Sequence, residues 1–240
     1  MGHGKETPRQ QMIGLMYLFL TCMLALNVSK DVLDSFVLVS ESLEKTVDNY
    51  KTKNQKVYDE FEKQLTINEN KVRPWKEKAD GFKALTDSLY NQLENYKKGF
   101  ITLAEGSNVE NVIKPGRYVL DSLNSKDNID LGGQYFILEG RGAELKTKIE
   151  EYKNAALALI PEEETSIIGN IESSLNTENH VSKELVVHTW ESMTFEHVPV
   201  IADIVMLEKL KTDKKQHEEA IREIDRQIDA IRTVLILLEK

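Results

Sequence analysis

The chain has 240 residues, with 31 Lys and Arg against 40 Asp and Glu, a formal net charge of −9 and a single cysteine. That acidic balance argues against nucleic acid, which is bound through basic patches, and against lying flat on anionic lipid. One cysteine allows no internal disulfide, and about 200 residues outside any anchor suffice for one sizeable core or two small ones.

The chain begins with its most unusual stretch. Residues 10–29, QQMIGLMYLFLTCMLALNVS, carry no charge. Twenty residues at about 1.5 Å each cover about 30 Å, the thickness of a bilayer's hydrocarbon core. A cleaved leader would have a shorter apolar run ending in a small-x-small site, whereas this run ends MLALNVSKDV. A retained membrane anchor over residues 1–30 is the reading. Lys5 and Arg9 precede the run, while Lys30 and then Asp31, Asp34, Glu41 and Glu44 follow it. The positive-inside rule therefore keeps the N-terminus cytoplasmic and puts the bulk of the chain in a periplasm-like space.

Within the run, Thr7-Pro8 reads as a helix N-cap followed by Pro at the first helical position. Arg9 then falls in the first turn, where a cation opposes the helix dipole. One explanation is a snorkelling topological anchor. The other is a charge partner for an acid on a neighbouring membrane helix. Gln10, Gly14, Tyr17, Thr21 and Ala25 form a small or polar stripe at helical spacing, the kind that lets membrane helices pack.

Beyond Ser29 the apolar residues Val32, Leu33, Phe36, Val39, Leu43, Val47, Tyr50, Val57, Phe61 and Leu65 recur at steps of three, four and seven. This predicts one helix running from the anchor to a break at Arg73-Pro74-Trp75. A second helix follows, with Trp75, Ala79, Phe82, Leu85, Leu89, Leu93, Tyr96 and Phe100 on one face. Residues 105–142 are rich in Gly and read as irregular, with short helices between turns and a strand at YFIL, 135–138. Helix resumes from Ala143 to Leu159. Residues 164–176 read as a loop with one helical turn, and 185–200 fit helix or strand equally. From Ile201 helix is predicted to the end. There, Ile221, Ile224, Ile228, Ile231, Leu235 and Leu238 form an a/d seam.

The expected fold class is mainly α: a single N-terminal transmembrane helix continuing into a periplasmic helical bundle over residues 31–213. An amphipathic C-terminal helix, 214–240, follows it, as at a truncation or fusion point.

Catalytic signatures are lacking. No nucleophile elbow, phosphate loop, HExxH or CxxC occurs. His188 and His197 with Glu191 and Glu196 are the densest set of metal-ligating types, and their spacing fits no zinc pattern. No enzyme activity, cofactor, metal or nucleic acid is expected.

Three segments are familiar as motifs: GKETPRQQMIGLMYLFLTCMLALNVSKDVLDSF near the start, LGGQYFILEGRG-x-EL at 131–145 and TWESMTFEHVPVIADIVMLEKLK at 189–211. Together they resemble the GldM and PorM family of gliding motility and type IX protein secretion, over roughly residues 4–213. The resemblance implies a membrane helix that pairs with itself as a homodimer. It also implies a surrounding ring of the small two-helix membrane protein GldL, and an ion-motive force that turns the assembly. In the family, a periplasmic helical domain leads on into β-rich domains. The family's arginine falls on Arg9, as partner of a GldL glutamate inside the membrane, and its tyrosine on Tyr17. After Asp213 the sequence departs from that pattern.

The function expected is therefore an inner-membrane motor component that carries motion from the membrane to the periplasm. A membrane-anchored periplasmic sensor or scaffold with a helical binding domain is the alternative.

Overall fold

The computed structural model of the chain describes residues 8–163, 165–182, 186–211 and 222, with the side chains of Pro8 and residues 23–29 left out. The expected heptad seam at 221–238 falls outside the described residues. Two long helices dominate: α1, Pro8–Ile67, and α2, Glu69–Glu105. At about 1.5 Å per residue, α1 is about 90 Å long.

The break between α1 and α2 comes at Asn68, whose backbone lies at φ −147° and ψ 77°, and not at Pro74. Pro74 sits inside α2, in its second turn, and is exposed. Its missing N–H frees the Asn70 carbonyl, which is equally exposed and open to water. From Asn68 the chain doubles back. The Tyr58 hydroxyl donates to the Ala79 carbonyl at 3.0 Å, and Lys76 pairs with Glu62 at 3.0 Å. The two helices thus form an antiparallel hairpin.

The buried line of α1 runs Val37, Ser40, Val47, Asn54, Tyr58 and Phe61. Val32 and Val39, expected on the inward face, are exposed, because polar Ser40 and Asn54 occupy inward positions and hide the true phase. The α2 face is as expected: Ala79, Phe82, Leu89, Leu93, Tyr96 and Phe100 are all buried.

After α2 come one 3₁₀ turn and the short α3, Val109–Val112. A tight hairpin follows, β1 (Ile113–Lys114) with β2 (Arg117–Tyr118). Pro115-Gly116 supplies its turn, with Gly116 at φ 77°. Residues 133–138 are π-helical where a strand was expected. A strand would send Tyr135 and Phe136 to opposite faces. The wide turn lets both enter one cluster, with their rings 5.0 Å apart and Phe136 stacked on Phe195 at 4.0 Å.

Helix α4 spans Arg141–Leu157, and α5, Thr165–Ser174, is a full helix where a loop with one turn was expected. Ile171, fully buried, with Ile167 and Ile168 packed against the core, gives α5 an apolar face that fixes it. A second hairpin pairs β3, His180–Val181, with β4, Val187–His188. The short α6, Trp190–Phe195, and α7, Val200–Lys211, resolve the ambiguous 185–200 region into strand, helix and turn.

Helix α7 is buried nearly all round, as a helix wedged between others must be. It packs against both α1 and α2. Its first amides are satisfied from outside the helix: Val200 N–H donates to the Asn128 carbonyl and Ile201 N–H to that of Lys126. The fold is mainly helical, as the sequence predicts.

Candidate functional site: a bare apolar helix end and a buried charge network

Two features of α1 stand out. The first is its beginning. From Met12 to Leu20 every large apolar side chain is exposed, between 58% for Leu20 and 71% for Tyr17. The exposed residues lie all round the helix, so no face of it rests on a core. A patch of this size marks a surface that another phase or chain covers. Arg9, Gln10, Gly14, Tyr17 and Thr21 all lie on this end and are exposed, while the side chain of Ala25 is outside the described residues. A Cβ added at Gly14 would meet nothing within 4 Å, so packing within the chain does not require glycine there. The Thr21 hydroxyl donates to the carbonyls of Tyr17 and Leu18, both at 2.9 Å, which satisfies it without water. Among the described residues no helix is long and apolar enough to cross a membrane. The expected span, 10–29, runs into residues 23–29, whose side chains lie outside the description.

The second feature lies farther along, where α1, α2 and α7 meet. Lys97 of α2 is wholly buried. Its ammonium donates to Glu44 of α1 at 2.6 Å and to Glu208 of α7 at 2.5 Å, and it lies 3.9 Å from the centre of the Tyr118 ring. Lys211 of α7 donates to the same Glu208 oxygen at 2.9 Å and to Glu94 of α2 at 2.6 Å. The Tyr118 hydroxyl closes the set by donating to Glu94 at 3.2 Å. Burial pushes the Tyr118 hydroxyl well above its ordinary range, and Glu94 adds to the effect. Burial likewise takes Tyr90, beside the network, up to about 12. Two buried ammonium groups answered by three carboxylates tie three helices together. Removing one member would strand the others in low dielectric.

A belt of loop residues ties the same helices nearer the bare end. Lys126 pairs with Asp34 of α1 at 3.1 Å. Glu105, at the end of α2, accepts from the backbone N–H groups of Asn124 at 2.8 Å and Ser125 at 3.0 Å. It also accepts from the Asn124 amide at 2.8 Å and the Ser125 hydroxyl at 2.7 Å. Burial pushes the Glu105 carboxyl up, but these bonds outweigh it and hold it below its ordinary value.

The network and the belt were not read from the sequence. Most partners lie 19 to 117 residues apart, and charged residues on amphipathic helices look like solvated faces. The His and Glu residues considered as metal ligands do not come together as one set. His188 sits opposite His180 in the β3–β4 hairpin, while His197 lies in the α6–α7 turn at φ 56°. No group of three or more His, Cys, Asp or Glu that could hold a metal occurs among the described residues.

The site is thus a rod-like helix with a bare apolar end, locked at its other end into a helical bundle. The sequence matches the GldM N-terminal domain over residues 31–224, and the chain belongs to that family. The family takes part in gliding motility and type IX secretion as a structural component of a multi-protein complex. No curated protein matches the chain.

Proposed function

We propose that the chain is a dimeric, single-pass inner-membrane component of an ion-motive-force-driven motor that powers type IX secretion and gliding. Its N-terminus is cytoplasmic, residues 10–29 span the membrane, and the helical domain lies in the periplasm. The observation that carries this reading is α1 itself. One unbroken helix begins at an exposed apolar end bearing Arg9 and runs on into a buried charge network. A continuous helix transmits tilt or rotation where a flexible linker would absorb it.

In this reading the Gln10, Gly14, Tyr17, Thr21 and Ala25 stripe packs against a second copy or against the surrounding GldL ring. Arg9 faces an intramembrane glutamate of GldL. When an ion or proton neutralises that carboxylate, the arginine loses its partner in a low-dielectric setting, and the helix moves to restore one. Arginine suits the role because it keeps its charge when desolvated and offers a planar fork to a carboxylate.

The test is a pair of strains. Arg9→Ala should abolish secretion and gliding while protein level and co-purification with GldL persist, and Arg9→Lys should be impaired. Normal gliding and secretion in the Arg9→Ala strain would reduce Arg9 to a topological anchor.

A further inference from the structure

One buried group is used by none of the features above. Asp203, in the first turn of α7, is 0% exposed, and neither carboxylate oxygen has a hydrogen-bond partner. It belongs to one of the two soluble motifs, 189–211, and the residue it crowds belongs to the other. A Cβ on Gly132 would lie 2.3 Å from the Asp203 Oδ2 and 2.6 Å from the Phe195 carbonyl oxygen, so both oxygens converge on one point. Phe195 opens the turn into α7. That turn holds His197 at φ 56°, a left-handed conformation rarely adopted by a non-glycine residue. The Pro199 carbonyl accepts from the N–H groups of Ala202 and Asp203, which closes the first turn of α7 directly after that turn.

An ionised carboxylate in this place would face a carbonyl oxygen across a glycine, with no donor. A neutral acid leaves no charge unanswered there, and its O–H is a donor beside Gly132, where the Phe195 carbonyl oxygen also lies. We propose that Asp203 is a proton-operated latch: as the neutral acid it holds the first turn of α7 against Gly132 and the strained 195–199 turn, and loss of its proton favours opening of this joint.

The surrounding charges do not compete for the role. Asp34 of α1 pairs with Lys126, Glu44 of α1 and Glu208 of α7 pair with Lys97, and Glu94 of α2 pairs with Lys211. Glu196 accepts from the Ser192 hydroxyl. Asp127, Asp130, Glu191 and His197 complete the titratable groups on the adjoining segments, and none of them acts on Asp203. Burial alone pushes its carboxyl up from 3.8 to about 8. The sign follows from linkage. The closed joint is most secure below the ordinary aspartate range. It weakens as pH rises toward 8, because the open state gains stability by ionising, and it levels off above 8, where the closed state ionises too.

Amide hydrogen exchange on the full-length protein in detergent, corrected for intrinsic rates, tests the latch. Between pH 5 and 8 the opening constant of residues 131–138 and 195–206 should rise about tenfold per pH unit and then level off. In Asp203→Asn it should be flat. Wild-type exchange that tracks the Asn variant would overturn the proposal. A carboxyl ¹³C titration of Asp203 in the wild-type protein serves even if the variant fails to fold. A midpoint near 8 supports the latch, and one in the ordinary aspartate range overturns it.

Discussion

Glu105 and Asp203 are both buried acids near the end of the domain where α1 leaves it, and their surroundings treat them oppositely. Glu105 receives four hydrogen bonds from Asn124 and Ser125, whereas Asp203 receives none. With its folded-state value held low, Glu105 stabilises the fold above the ordinary carboxylate range, and that contribution fades as pH falls through and below it. Glu105→Gln should lower stability by about 1–3 kcal/mol near neutral pH, since hydrogen bonds to a charged group are the strong ones. The deficit should shrink in acid, and denaturant melts at pH 7 and pH 4 measure it. Neither residue was legible in the sequence. Glu105 looks like the last charge of an amphipathic helix, and its donors lie about twenty residues on. Asp203 looks like a first-turn acid at a helix N-terminus, where a carboxylate is ordinarily favourable. Its burial comes from the approach of Gly132, which only the tertiary structure brings about.

At the scale of elements, the Lys97 network predicts strong coupling between α2 and α7. Lys97→Ala should destabilise the domain by about 3–5 kcal/mol, because Glu208 is left buried with reduced compensation. Lys97→Met with Glu208→Leu should recover most of that loss, because Lys211 keeps Glu94 and Glu44 is part-exposed, so no charge is left both buried and unpaired. A double-mutant cycle by denaturant unfolding gives the coupling directly. If the losses simply add, the network is not a coupled unit.

How well each element was legible depended on where its order originates. Helix α2 reads cleanly because apolar residues hold its inward line from Ala79 to Phe100, and buried Thr86, Lys97 and Glu105 do not shift that phase. The line of α1 was misphased because Ser40 and Asn54 are buried on it. Pro74 drew the break away from Asn68, yet α2 runs through it, with the Asn70 carbonyl that it leaves unbonded exposed to water. The strand expected at YFIL failed because an apolar run of four residues has no period, and the aromatic partners that shape it, Phe100 and Phe195, are distant in sequence.

At the scale of the whole molecule, α1 is at once the proposed anchor and the spine of the domain. Residues 34–67 are clamped by α2, α7 and the 120–128 belt, while residues 9–22 stand free of any core. The bare apolar end was the most legible feature of the sequence, since it depends on composition alone. The clamp was not legible, since it depends on long-range pairing. What joins the two is helical continuity across Lys30 and Asp31.

Breaking that continuity tests the central claim most directly. A flexible Gly-Ser insertion after Lys30 leaves both the apolar end and the clamped domain intact but disconnects them mechanically. A seven-residue helix-forming insertion at the same place keeps the connection rigid. Gliding and type IX secretion should be lost with the flexible insertion, with the complex still co-purifying, and should largely survive the helical one. Normal gliding and secretion with the flexible insertion would contradict the account, because α1 would then be a tether and not a transmission rod.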